Sequence, residues 1–196
     1  TKGGANRTNS FYDISNLYWA ADKRARVFNV SWSMYMDNDD LLAAIRRVAD
    51  EGAQDNKGMV ITMAAGNTFG CTFPLPAYRV ASHPLVLAVG GTDLRYQADG
   101  SFTERRDCTT CYGDALDLVV PNQKVSAAGQ SYYWTTLDAS NGYKCLTDSS
   151  NLGSSYCAPF VGGVAALMIS RDASLWRDDV FQILFHTTET AFALDS

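Results

Sequence analysis

The chain has 196 residues, 46% of them hydrophobic and 19% charged, and a net charge of −5. That is one domain's worth of chain with material for a sizeable core, and the composition excludes a disordered segment. The acidic balance and the lack of a Lys/Arg-rich run argue against a nucleic-acid surface, and the longest strongly apolar stretch, Leu85 to Val89, is far too short to cross a membrane.

Ser10 followed by Asp13 reads as a capping box, and Phe11, Ile14, Leu17, Tyr18 and Ala21 then recur at helical spacing. A strand is expected from about Val27 to Trp32. Asn38 to Asp40 open a second helix with Leu41, Leu42, Ile45, Val48 and Ala49 on one face and Gly52 as its stop. Met59 to Ala64 reads as a buried strand ending in Ala65-Gly66-Asn67. A loop with three prolines leads to another buried strand, Leu85 to Val89. Thr92 to Asp114 reads as a polar connection, followed by a strand from Leu116 to Val120. Gly129 to Asn151 is rich in Ser, Thr, Tyr and Gly and reads as loop or hairpin. A helix from the Ser154 region to about Ile169 and a last amphipathic helix, Leu175 to Phe185, complete the chain. Short apolar strands alternating with helices imply an α/β fold, a mostly parallel sheet with helices on both faces. Functional sites in such sheets gather at the carboxyl ends of the strands.

The five cysteines are Cys71, Cys108, Cys111, Cys145 and Cys157. An odd number leaves at least one outside any intramolecular bridge. Cys157, in the first turn of a helix, is the expected free thiol, and the other four lie in loops that suit disulfides in an oxidising compartment. Cys108-Thr-Thr-Cys111 has the spacing of a zinc half-site, but no second pair follows it. The sequence begins at Thr1 with no signal peptide, which reads as a processed or truncated product.

Gly153-Ser154-Ser155-Tyr156-Cys157-Ala158-Pro159-Phe160 carries the clearest chemistry. It sets a Ser in a turn just before an apolar helix of small residues. Backbone N–H groups and the helix dipole there favour developing negative charge, which a serine nucleophile needs. Taken alone, Ser154-Ser155 also reads as an ordinary helix N-cap, and Asn67 as a plain turn residue.

The stretch resembles the nucleophile motif of the subtilisin-like serine proteases, and the likeness extends in family order over roughly residues 10 to 190. The resemblance implies a three-layer α/β/α subtilisin-like fold with its N-terminal part missing. It implies Ser155 as nucleophile and Asn67, closing Ala64-Ala65-Gly66-Asn67, as side-chain donor to the oxyanion. Ser31, Trp32 and Ser33 on one side, and Ala64, Ala65 and Gly66 on the other, would wall the substrate groove. Phe160 stands where the family commonly has His, and Ser154 where it has Thr. The family's Asp and His motifs are absent. The two histidines, His83 and His186, are in neither the right motif nor the right order.

The implied activity is therefore a secreted or extracytoplasmic serine endopeptidase acting on peptide or protein substrates, with no nucleic-acid or membrane partner. Its catalytic Asp and His would lie on a missing N-terminal part of the same domain, so the isolated chain is expected to be inactive. No cofactor is required, and calcium enters only by the resemblance. The same placement favours Cys71–Cys145 and Cys108–Cys111 among the three pairings of the loop cysteines. One rival reading is a pseudo-protease, a peptide-binding or structural scaffold without catalysis. Another is an α/β-hydrolase esterase, against which the lack of a Gly-x-Ser-x-Gly elbow counts.

Overall fold

Alternation along the central strands sorts their side chains onto two faces, and each face is covered by its own pair of helices. The computed structural model describes residues 5–32, 39–52, 54–67, 80–96, 99, 101–107, 110–122, 133–135, 143–145 and 153–188. The elements run α1 (Ala5–Asp22), β1 (Val27–Val30), α2 (Asp39–Glu51), a short 3₁₀ turn, β2 (Val60–Ala64), β3 (Val86–Tyr96), β4 (Phe102–Arg106), β5 (Leu118–Pro121), β6 (Tyr133–Thr135), β7 (Tyr143–Cys145), α3 (Ser154–Arg171) and α4 (Arg177–Thr187).

In β2, Ile61 and Met63 point to one side, and Val60 and Ala64 to the other. In β3, Val86 and Ala88 join the first set and Leu87 and Val89 the second. The first face packs on Leu17 and Ala20 of α1 and on Leu41, Ala44, Ile45 and Val48 of α2. The second packs on Cys157, Ala158, Val161 and Ala165 of α3 and on Val180, Phe181 and Leu184 of α4. A strand buried on both faces reads as a continuous apolar run, which is why β2 and the start of β3 are visible in the sequence. The result is three layers, helix, sheet and helix.

β1, β2, β3 and β5 pair in parallel, as expected. β4 was not expected. It runs antiparallel to the second half of β3, pairing Thr92–Tyr96 with Phe102–Arg106. Asp99 tightens the connection by accepting the Ser101 N–H at 2.9 Å and its hydroxyl at 2.6 Å. β3 itself continues past Val89 through Gly90-Gly91-Thr92, because β5 and then β4 supply partners there. The stretch read as loop or hairpin contains the antiparallel pair β6 and β7. Helix α1 starts at Ala5, five residues before the expected cap at Ser10. Once a helix is nucleated, extending it through Ala5–Asn9, which contains no Gly or Pro, is cheaper than starting it anew.

The register decides where chemistry can gather. Val30 lies opposite Met63, and Ala64 opposite Val89. The chain therefore leaves β1 at Ser31 and β2 at Ala65-Gly66-Asn67 on the same edge of the sheet. Helix α3 lies close over β1 and β2. A Cβ on Gly162 would come 3.1 Å from Thr62 Oγ1, so the absent side chain sets how near the helix approaches.

Candidate active site

Gly66-Asn67 at the end of β2 meets Gly153-Ser154 at the start of α3. The Ser154 N–H donates to Asn67 Oδ1 at 2.8 Å, and the Ser154 hydroxyl donates to the same oxygen at 2.9 Å. The Gly66 N–H donates to Ser154 Oγ at 3.1 Å. A backbone N–H can only donate, so the carboxamide atom facing Ser154 is the oxygen. The Asn67 Nδ2 donor is then turned the other way. Ser154 is fully buried, while Asn67 is exposed and Ser155 half-buried.

Gly153 makes this junction sterically feasible. Its φ is +80°, in the region that favours glycine, and a Cβ there would lie 2.9 Å from Asn67 Nδ2. Beyond it, the first turn of α3 has its Ser154 N–H bonded to Asn67 and its Tyr156 N–H bonded to the Gly153 carbonyl at 3.0 Å. Among the described residues neither the N–H nor the hydroxyl of Ser155 has a hydrogen-bond partner. The Ser155 hydroxyl, its backbone N–H without a partner among the described residues, and the Asn67 carboxamide donor thus gather at one helix N-terminus. That arrangement can attack a carbonyl and stabilise the oxyanion that forms.

The other expected site residues fall on both sides of this junction. Ser31 is half-buried, and its Oγ accepts from Asn29 Nδ2 at 2.8 Å. Asn29 Oδ1 in turn accepts from buried Thr62 Oγ1 at 3.1 Å, which ties the chain leaving β1 to β2. Trp32 is 48% exposed, and its indole N–H bonds the Asp13 carboxylate. Burial raises that carboxyl above its ordinary value, and the Trp32 bond partly offsets the rise. Ser33 lies outside the described residues. Ala64 and Ala65 bury their side chains in the core, so only their backbone faces outward chemistry. The Ala65 N–H is taken by the Val89 carbonyl at 2.9 Å, and the Gly66 carbonyl accepts the Cys111 N–H at 2.8 Å.

His83 does not approach Ser155. His83 precedes β3, at the amino ends of the strands, and its Nδ1 accepts the Leu85 N–H at 3.2 Å. Val86 pairs with Ile61, so His83 sits about 20 Å of strand away from Asn67. Burial first, and then the charge of Arg46, hold its pKa below the ordinary histidine value, against the opposing pull of Asp50. His186 is exposed in the last turn of α4, with its Nε2 3.2 Å from Gln182 Oε1.

Cys157 is buried in the helix–sheet contact, its thiol directed to the Gly153 carbonyl at 3.7 Å. Burial, then the negative charge of Asp107, pushes it up to about 12, which leaves it an inert small apolar group. Cys71 and Cys108 lie outside the described residues, and with them both expected bridges. Among the described residues no group of three or more His, Cys, Asp or Glu side chains is arranged to hold a metal ion, so no calcium site is assigned among them. No helix among them is long and apolar enough to cross a membrane.

Sequence reasoning missed the role of Ser154, which read as a conservative exchange. Its signal was a hydroxyl residue immediately before Ser155.

A model of the subtilase family matches residues 1–195. Thermitase of Thermoactinomyces vulgaris is 27% identical over 160 residues, which are 82% of this chain and 46% of the relative. Subtilisin Savinase of Lederbergia lenta is 28% identical over 194 residues, 98% of this chain and 59% of the relative. Among solved structures, a cold-adapted subtilisin-like serine proteinase aligns with a TM-score of 0.58 and 22% identity, over 88% of this chain and 52% of that one. The chain spans about half the length of the relatives it matches.

Proposed function

The chain belongs to the subtilase family, and from that premise we propose that it is part of a serine endopeptidase of the subtilisin type, hydrolysing peptide bonds through an acyl-enzyme on Ser155. The Ser155 hydroxyl attacks the scissile carbonyl carbon while a His base takes its proton. The carbonyl oxygen becomes an oxyanion, stabilised by the Ser155 N–H and Asn67 Nδ2. Collapse of the tetrahedral intermediate breaks the C–N bond, and the leaving amine takes the proton from the His. Water, activated by the same base, then frees the acyl group and restores Ser155.

The observation that carries this reading is the Asn67 carboxamide, held oxygen-inward by both donors of Ser154 at the N-terminus that bears Ser155. Packing alone does not call for an exposed Asn so constrained. The His base and its orienting Asp come, in this reading, from sequence outside these 196 residues. The distance of His83 from Ser155, and the greater length of the relatives, support that assignment. The partners are then a peptide or protein substrate and the remaining part of the same domain. Ser31 to Ser33 and the backbone of Ala64 to Gly66 wall the groove. The family resemblance and the loop cysteines favour a secreted or extracytoplasmic location. Acyl transfer of this kind needs no cofactor.

A peptide-binding scaffold without catalysis is the second reading, favoured by the positions of the two histidines if no base is supplied. The test is hydrolysis of a peptide by the parent protein with its upstream segment present. Ser155→Ala abolishes turnover under the proposal, leaving at most the residual 10³–10⁴-fold rate over water that oxyanion donors and binding supply, an order of magnitude known from subtilisin-type enzymes. Full activity in that variant would overturn it. The 196-residue chain alone is expected to be inactive.

A further inference from the structure

Behind Asn67 lies a buried polar network that neither the nucleophile nor the substrate walls use. Thr110 bridges Asn67 across an antiparallel pair, and the next residue, Cys111, donates its N–H to the Gly66 carbonyl at 2.8 Å. Thr110 Oγ1 accepts the Gly91 N–H at 3.2 Å and donates to the Asp107 carbonyl at 3.2 Å. The Asp107 carboxylate accepts Asn122 Nδ2 at 2.5 Å. The backbone closes the circuit on β3: Asp107 N–H donates to the Gly91 carbonyl at 3.0 Å, and Asn122 N–H to the Thr92 carbonyl at 2.8 Å.

Three features separate this from a turn that merely closes a loop. Asp107, Thr110 and Asn122 are 1%, 2% and 2% exposed. Buried polar groups are costly unless paired; Asn122 Oδ1 has no partner among the described residues, but the directional bonds the other atoms make favour one arrangement where an apolar contact would admit several. Next, Gly91 leaves the space that the network occupies, because a Cβ there would lie 2.7 Å from that of Asn122. The network also reaches both halves of the site. Thr110 is bridged to Asn67 through the Cys111 N–H bond to the Gly66 carbonyl, and the charge of Asp107 is close enough to act on Cys157, two residues beyond Ser155.

We propose that Thr110 is a positioning residue: clamped through Asp107 and Asn122, it fixes the Asn67 backbone and so the aim of the Asn67 carboxamide. Ser154 holds the oxygen of that group, and Thr110 holds the chain from which it projects. Its part in catalysis rests on Asn67 being the oxyanion donor, but the positioning itself is measurable without any turnover.

The test is a ¹⁵N–¹H spectrum of the full 196-residue chain, read at the Asn67 side-chain amide and the Gly91 backbone amide. Thr110→Val removes the hydroxyl and keeps the shape. Loss of one buried hydrogen bond is worth about a factor of ten in an opening equilibrium. Exchange of the Gly91 amide should therefore quicken about tenfold, and the two Asn67 side-chain signals should shift. Thr110→Ser keeps the hydroxyl and should return both to their original values. If Thr110→Val does not fold, Asp107→Asn, which preserves volume, should move the Asn67 signals in the same direction. Unmoved Asn67 signals in a folded variant with an exposed Gly91 amide would overturn the proposal, leaving Thr110 as a brace for β3 alone. Failure of the catalytic reading would be seen separately, as full activity in Asn67→Ala.

Discussion

The two ends of the parallel sheet carry different chemistry. At the carboxyl end, Asn67, Ser154 and Gly66 satisfy one another, and Ser155 has no partner among the described residues. At the amino end, the charged and titratable groups hold the fold together. Arg177, 8% exposed, pairs with Asp178 at 2.6 Å and Asp50 at 3.6 Å, and its N–H donates to the Lys57 carbonyl. Arg26 donates to the Leu175 carbonyl at 2.5 Å, and His83 sits beside Arg46 and Asp50. Buried Asp107 and the Trp32-bound Asp13 lie at the carboxyl end as well, but the groups that meet at Asn67 and Ser154 are neutral. The candidate site is a small set of neutral donors gathered at a helix N-terminus, the form a site for developing negative charge takes.

Changes at the two ends should separate in kind. Among changes that keep Ser155, the largest effect is expected from Asn67→Ala. In an active parent protein it should lower turnover about 10²–10³-fold, the loss that accompanies removal of one such donor in subtilisin itself, and also cost about 1–3 kcal/mol of stability, because the two buried donors of Ser154 lose their acceptor. Steady-state kinetics beside a melting curve would check this. A fall in stability with unchanged turnover would make Asn67 a turn residue and erase the contrast between the ends.

Helix α3, which links the site to the core, gives a sharper and smaller test. Gly162 and Gly163 are neighbours in sequence with opposite surroundings. Added carbon at Gly162 meets buried Thr62, which is already bonded to Asn29, whereas at Gly163 nothing lies within 4 Å. Gly163→Ala should stabilise the chain by about 1 kcal/mol through helix propensity. Gly162→Ala should lose that gain to overpacking and destabilise by about 1 kcal/mol. Denaturant midpoints of the two variants should move in opposite directions.

The smallest effect belongs to the amino end. His83 is held below its ordinary pKa, so the unfolded chain binds more protons than the folded one as pH falls below about 6.5. The stabilisation from neutral His83 is complete above that pH and is lost as pH falls through the folded-state value. His83→Gln should flatten this part of the stability profile and leave the Ser155 chemistry untouched. An altered pH–rate profile would instead bring His83 into the site.

Much of this was legible in the sequence because it was local. Helix α2 follows from Leu41, Ile45, Val48 and Ala49 at helical spacing, with Gly52 after them, and the structure ends it at Glu51. β2 and the first half of β3 are short apolar runs. β4 was missed because Phe102-Thr103-Glu104-Arg105-Arg106 carries the charges of a connection, and its strand character comes from pairing with the tail of β3. The Asp99-Gly100 pair before it was the available hairpin signal. Ser154 was underread for a similar reason. Its function lies in bonds to Asn67, 87 positions earlier, and no local pattern encodes that contact. Thr110 is further from view still, since its meaning depends on Gly91, Asp107, Asn122 and Asn67 meeting in three dimensions.

The most direct measurement of the central claim is the site of covalent modification by a fluorophosphonate in the parent protein, mapped by peptide mass spectrometry. A subtilisin-type centre at the N-terminus of α3 predicts a single adduct on Ser155, absent from the Ser155→Ala variant. Modification of Ser154 instead, or no adduct in protein that hydrolyses peptides, would contradict it.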